Sequence, residues 1–133
     1  MTKLIRAFIA MMLFSATTVA GTDSGVSSAI KWLDVVDSGE YVESWNEAAP
    51  YFQTQISSDQ WDQALKKVRK PLGKVINREV KTSSSHTSLP GVPEGDYVVV
   101  VLSTSFERKS SATETVTVGK VGDDWRAIGY FIK

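Results

Sequence analysis

The sequence contains no cysteine and a single histidine, His86, among its 133 residues. Without cysteine the chain forms no disulfide, binds no metal through a thiolate and carries no lipid on an N-terminal cysteine. One imidazole without a thiol beside it also argues against a zinc site. We therefore expect a fold held by packing alone, with no metal and no cofactor.

An excess of charge of one sign and a long apolar run are also missing. Basic and acidic side chains number fifteen each, so no overall field attracts nucleic acid. The longest apolar run, residues 7–14, has eight residues, whereas roughly 18 are needed to cross a bilayer. We predict no nucleic-acid partner and no stable membrane insertion once the N-terminal segment has been removed.

The first twenty residues have the pattern of a secretory signal peptide. Lys3 and Arg6 precede the apolar run, and small and hydroxyl residues follow it up to Ala20. Cleavage after Ala20 leaves residues 21–133 as a single domain, either periplasmic or secreted from a bacterial cell. The alternative is that residues 1–20 remain as an uncleaved anchor.

Apolar residues at helical spacing predict three helices in the first half of the chain. The first has its apolar stripe at i, i+3, i+4 and i+7 from Val26, and Gly39 ends it. The second begins at Tyr41, and Pro50 ends or kinks it near Ala49.

The third helix has the clearest start signal. Ser57 and Gln60 fit a capping box, and Ile56 and Trp61 occupy the two positions of a hydrophobic staple. Pro71 ends this helix, because proline forces the residue before it out of helical geometry.

From residue 74 onward the apolar period falls to two, which predicts β-strands over residues 74–82, 96–106, 113–121 and 125–132. The apolar stretch 98–102 indicates a central strand covered on both faces. Residues 83–95 are predicted to form a long mobile loop. Helices followed by strands predict an α+β fold, in which a curved four-stranded antiparallel sheet packs over the helices.

Two charges fall on apolar strand faces. Arg78 alternates with Ile76 and Val80, and Glu114 alternates with Val116. A charge among valines must be paired or hydrated. We therefore hypothesise that Arg78 and Glu114 lie on the concave face, where they pair or line a small pocket. The more common arrangement, which the sequence favours, is that both sit at strand ends and reach solvent along their own stems.

Charge is polarised along the chain. Cations crowd the end of the third helix, at Lys66, Lys67, Arg69, Lys70 and Lys74, whereas residues 33–64 carry seven acids and no base. The cations complement the helix dipole, or they meet an anionic partner such as a lipid headgroup or an acidic protein face. The acids lack the spacing of a calcium loop.

The sequence offers few residues that could serve in catalysis. His86 is expected to be solvated in its loop, and no stretch resembles the G-x-S-x-G turn of hydrolases. The aromatic residues line a pocket or, more commonly, belong to the core; they are Trp32, Tyr41, Trp45, Trp61, Tyr97, Trp125, Tyr130 and Phe131.

Several motifs together resemble an exported bacterial family catalogued as domain of unknown function 4019. They are Asp37-x-Gly39-x-Tyr41, Arg69-x-Pro71-Leu72-Gly73, Leu89-Pro90-Gly91-x-Pro93, Glu114-Thr115-Val116 and Trp125-Arg126-x-x-Gly129-Tyr130. The layout is also similar to the nuclear-transport-factor-2-like superfamily, a cone-like fold. This resemblance implies a pocket without specifying a reaction.

The chain departs from that superfamily's enzymes, because it lacks the Asp/His pair that they place inside the cone. Carried over to this sequence, the motif positions imply that Arg69, Arg78 and Glu114 are candidate ligand-contacting residues. No catalytic residue and no metal ligand is assigned.

Three functions remain open from the sequence. The first is a non-catalytic binding or accessory domain whose concave sheet face takes a small ligand or a protein segment. The second is a hydrolase or isomerase that uses a buried carboxylate such as Glu114. The third is an assembly module with no pocket, for instance a homodimer formed through the sheet. A cavity of roughly 300 Å³ or more would favour the first two.

Overall fold

The computed structural model describes residues 6–133, with side chains from residue 21 onward. The predicted export signal, residues 1–20, therefore lies outside the residues whose side chains are described. Across the described part of the chain, no helix is both long enough and apolar enough to span a membrane.

Four α-helices precede the sheet: α1 (Arg6–Asp37), α2 (Tyr41–Asn46), α3 (Pro50–Gln55) and α4 (Ser58–Val68). A short 3₁₀ helix, Lys70–Leu72, follows α4. Gly39 has a φ of +82°, the left-handed backbone predicted for the residue that ends the first helix. The capping box of α4 is confirmed, since the Ser57 hydroxyl accepts from Gln60 N and the Gln60 side chain accepts from Ser57 N.

The second predicted helix is two helices in the structure. The helix that starts at Tyr41 ends at Asn46, and Pro50 begins α3 instead of ending or kinking a continuous helix. Proline suits a first helical turn, because its missing N–H would have no helical partner there. The amide of Ala49 donates to Ala127 O at 2.8 Å, so the break is filled by a bond to the sheet.

Four strands form one curved antiparallel sheet in the order β1-β2-β3-β4: β1 (Val75–His86), β2 (Tyr97–Phe106), β3 (Lys109–Val121) and β4 (Asp124–Ile132). The predicted α+β class and antiparallel sheet are confirmed. The predicted loop 83–95 is wrong at its start, because Ser83 to His86 pair with β2 and belong to β1. This end of β1 lies at the edge of the sheet and consists mostly of serines. It therefore lacks the alternation of apolar and polar residues from which a strand is predicted.

The central position predicted for β2 is confirmed, since β1 and β3 flank it. On its concave side Val98, Val100 and Leu102 are fully buried, whereas Val99 and Val101 on the other side are half-buried. The expectation that both faces are covered therefore holds for the concave face only.

Helix α1 lies along the concave face and forms the core with it. Gly25 permits this contact, because a Cβ at that position would stand 2.7 Å from Val98 Cγ2. Trp32 and Trp61 pack together with ring centroids 6.2 Å apart. Their indole N–H groups donate to the backbone oxygen and the hydroxyl of Ser44, so the buried indoles are satisfied.

Candidate functional site

Glu114 is the centre of a polar cluster on the concave face, and its side chain is 0% exposed. Arg78 donates to it from Nε at 2.8 Å and from Nη2 at 3.2 Å, and the Thr104 hydroxyl donates at 2.6 Å. The hydroxyl of Tyr130 donates to its Oε2. All three strands other than β3 thus reach this carboxylate, with one donor residue each from β1, β2 and β4.

Arg78 holds a second carboxylate, that of Asp37 at the end of α1. Its Nη1 lies 2.7 Å from Oδ2 and its Nη2 lies 3.1 Å from Oδ1. One guanidinium therefore makes two bidentate contacts, the geometry that best matches its planar fork of donors. Because Asp37 is on α1, this contact ties the first helix to the sheet.

Arg69, at the end of α4, completes the cluster and is only 4% exposed. Its Nη2 donates to Asp37 Oδ1 at 2.7 Å, and its Nη1 donates to the Tyr130 hydroxyl at 3.4 Å. Its guanidinium carbon lies 4.9 Å from the centroid of the Phe106 ring, a cation–π distance. Among the described residues, nothing accepts a hydrogen bond from Arg69 Nε.

The cluster balances its own charge, with two guanidinium groups facing two carboxylates. Burial opposes the charge of Arg78 most strongly, but hydrogen bonds with Asp37 and Glu114 outweigh it and raise the pKa of Arg78. Burial also raises the pKa of Tyr130, and the nearby charge of Glu114 raises that pKa further. Tyr130 therefore stays protonated and able to donate.

The structure brings together all three residues singled out by the sequence, namely Arg69, Arg78 and Glu114. The hypothesis that Arg78 and Glu114 pair is confirmed. The favoured expectation that both reach solvent is wrong, since Glu114 is fully buried and Arg78 is 12% exposed. Ligand contact by the three remains a prediction. The sequence did not assign a site role to Asp37, Thr104 or Tyr130.

A signal for Asp37 was present, because it continues the apolar stripe of α1 four residues after Leu33. The alternation of residues along β4 did not predict that Tyr130 faces the cluster. The β3–β4 register shifts between Thr117 and Val118, so alternation counted from the start of β4 puts Tyr130 on the wrong face.

A cavity of about 410 Å³ lies at the opposite end of the sheet, where β1 and β3 finish and β2 and β4 begin. We call it the end cavity. It is open to solvent, and its lining is Gly21, Thr22, Ser85, His86, Thr87, Asp96, Tyr97, Lys120 and Trp125. The Lys120 ammonium stands 5.8 Å from the Trp125 ring centroid, and the hydroxyls of Thr22 and Ser85 are hydrogen-bonded at 2.8 Å, joining α1 to β1.

His86 has a different position from the one predicted. It ends β1, lines the end cavity and is hydrogen-bonded to the Ser84 hydroxyl at 2.9 Å, so it is not a residue of a mobile loop. Within the part of the chain that the structure describes, no group of three His, Cys, Asp or Glu side chains could hold a metal ion.

A second, polar groove of about 400 Å³ runs between α1 and the β3–β4 turn, and includes Ser28, Glu47, Asp123 and Arg126. Burial raises the pKa of Glu47, and the neighbouring Glu43 raises it further. Neither the end cavity nor this groove is lined by Arg69, Arg78 or Glu114. The polar cluster and these open spaces are therefore separate features.

A family model described as "Protein of unknown function (DUF4019)" matches residues 28–130. The matched stretch runs from before Asp37 to Tyr130 and so contains the whole polar cluster. No curated protein matches the chain in sequence.

Proposed function

Because the chain belongs to the DUF4019 family, whose description names no activity, we propose a function from the chain's own geometry. The protein is an exported, non-catalytic binding domain, and a small ligand occupies the end cavity of its concave sheet face. Export through residues 1–20 and a periplasmic or secreted location belong to this proposal, as does the cone-like likeness to the nuclear-transport-factor-2-like superfamily.

The observation that carries the proposal is the end cavity itself. Its volume of about 410 Å³ falls within the range of small-molecule sites, about 300 to 1,000 Å³. Tyr97 and Trp125 provide aromatic walls, and His86, Asp96 and Lys120 provide polar groups. Neither Asp96 nor Lys120 is ion-paired with any described residue, so both charges remain open to a ligand.

The polar cluster supports the same assignment from the other end of the sheet. Asp37 and Arg69 anchor α1 and α4 there, through contacts with Arg78 and Tyr130 on the two edge strands. A concave face fixed at that end leaves the opposite end as the place where a ligand can enter without displacing buried charges.

The contacts of Glu114 favour binding over catalysis. An ionised carboxylate offers about four acceptor positions, and four donated hydrogen bonds from Arg78, Thr104 and Tyr130 fill them. A general base needs an accessible lone pair within reach of a substrate proton. Glu114 could act as the base of a hydrolase or isomerase only after losing one of these bonds.

A second candidate function is assembly through the outer face of the sheet. Phe131 is 55% exposed there, beside Thr115 on the neighbouring strand. A second copy of the chain would cover this ring in a homodimer.

Native mass spectrometry of the protein recovered from the periplasm of its own cell tests the proposal. We expect a monomer that carries a retained small-molecule adduct, and we expect Lys120→Glu to lose the adduct while Lys81→Glu, an exposed lysine on β1, keeps it. An adduct retained equally by both variants would place the ligand elsewhere. A dimer without an adduct would favour assembly.

A further inference from the structure

The turn after α4 and the β2–β3 hairpin are bonded into one rigid corner. Arg108 N donates to Leu72 O at 2.9 Å, Glu107 N donates to Lys74 O at 2.9 Å, and Lys74 N donates to the Glu107 carboxylate at 2.7 Å. Gly73 is required between them, because its φ is +78° and a Cβ would lie 2.8 Å from that carboxylate. The backbone positions of this corner are therefore held in a fixed arrangement.

The corner concentrates positive charge on a chain with no net charge. We define the basic corner as Lys67, Lys70, Lys74, Arg108 and Lys109. None of the five is ion-paired with a described residue, and all but the half-buried Lys109 are exposed. Glu107 is the one acid in the two segments 67–76 and 106–109, and it is bonded to the Lys74 amide.

The helix dipole explains only part of this charge. Lys67 lies in the last turn of α4, where a cation complements the dipole. Lys74, Arg108 and Lys109 lie outside the helix, and two of them come from a hairpin more than thirty residues away in sequence. Since the dipole effect fades within the last turn of a helix, it gives no reason for these cations to gather.

Two exposed apolar side chains lie close to the cations in sequence. Val68 follows Lys67 and is 49% exposed, and Ile76 lies two residues after Lys74 and is 67% exposed. Ile76 is exposed because the β1–β2 register shifts between Val75 and Asn77, which turns it away from the sheet's core. A set of cations flanked by apolar residues is the composition of a membrane-interface surface.

We propose that the basic corner docks this protein on the surface of an anionic phospholipid bilayer. The lysine and arginine side chains contact the headgroups, and Ile76 and Val68 enter the interface between headgroups and acyl chains. A free anion or a nucleic acid would satisfy the cations but would leave both apolar side chains in water. The surface is independent of the end cavity, so it adds a location to the proposed binding role.

Co-sedimentation with vesicles tests the docking surface. Protein recovered after export is mixed at low salt with phosphatidylcholine vesicles, with or without phosphatidylglycerol. We expect binding only where phosphatidylglycerol is present, and we expect added salt to weaken it. Lys70→Glu/Lys74→Glu should weaken binding at least about 25-fold, because each cation near an anionic bilayer contributes about fivefold.

Two further variants separate the surface from overall charge. Lys31→Glu/Lys81→Glu changes the net charge equally but leaves the basic corner intact, so it should bind like the unmodified protein. Ile76→Ser should weaken binding without changing its salt dependence. The proposal is overturned if the unmodified protein does not bind, or if the two charge-reversed variants bind equally. The lipid is likewise replaced by a protein partner if Lys70→Glu/Lys74→Glu loses salt-sensitive binding to an acidic protein but binds vesicles as the unmodified protein does.

Discussion

Arg78 on β1 and Glu114 on β3 are joined by two hydrogen bonds, although β2 lies between their strands. The guanidinium crosses β2 at Thr104, the residue paired with Arg78, whose own hydroxyl donates to the same carboxylate. A short side chain at that point and the curvature of the sheet make the crossing feasible. The concave face thus carries a buried charge pair that spans the intervening strand β2.

Removal of the Tyr130 hydroxyl tests whether Glu114 depends on all its donors. We expect Tyr130→Phe to lower the free energy of unfolding by ~1–3 kcal/mol, because an acceptor position of a buried carboxylate loses its donor. The edge-to-face packing of this ring on Trp32, with centroids 5.6 Å apart, should survive the change. Urea unfolding measures the loss, and a change smaller than that of an exposed control such as Lys81→Ala would contradict it.

The raised pKa of Tyr130 predicts a specific loss of stability in alkali. In the unfolded chain this phenol ionises near its ordinary value of 10.0, whereas the folded protein keeps it protonated to higher pH. Above pH 10 the unfolded state therefore releases a proton that the native state retains, and stability falls by about 1.4 kcal/mol per pH unit from this group. The difference in unfolding free energy between the unmodified protein and Tyr130→Phe should narrow as pH rises through that range. If the difference in unfolding free energy does not change with pH, the pKa of Tyr130 is not raised in the folded protein.

The close approach of α1 to the sheet predicts opposite results for two glycines, Gly25 on α1 and Gly129 on β4. Alanine is favoured over glycine in the middle of a helix or strand by about 0.5–1 kcal/mol, and Gly129→Ala on β4 should show this gain because nothing lies within 4 Å of the added carbon. Gly25→Ala should be destabilising, since overpacking against Val98 costs ~1–3 kcal/mol. Thermal unfolding of the two variants measures the gain and the loss of stability. Equal stabilisation of both would mean that α1 does not lie against Val98.

The sequence predicted those features that depend on neighbours along the chain. Ser57 and Gln60 specified the start of α4, and the charges of Arg78 and Glu114 were visible against the valines beside them. The apolar stripe of α1 placed Asp37 on the buried side of that helix. Its partners depend on where the end of α1 meets the sheet, which no local pattern contains. The end cavity was also beyond prediction, because residues as distant as Thr22, Ser85 and Trp125 meet only when the four strand ends and α1 assemble.

The central claim is that the charges on the concave face satisfy one another and hold the fold, which leaves the end cavity for binding. Urea unfolding of Arg78→Ala, compared with Lys81→Ala on the same strand, tests it most directly. Loss of Arg78 removes the guanidinium that is hydrogen-bonded to buried Glu114 and leaves only Arg69 Nη1, 4.0 Å from its Oε2. The free energy of unfolding should therefore fall by ~3–5 kcal/mol, while Lys81→Ala should change it by no more than about 0.5 kcal/mol. Equal, small effects from both substitutions would contradict the account.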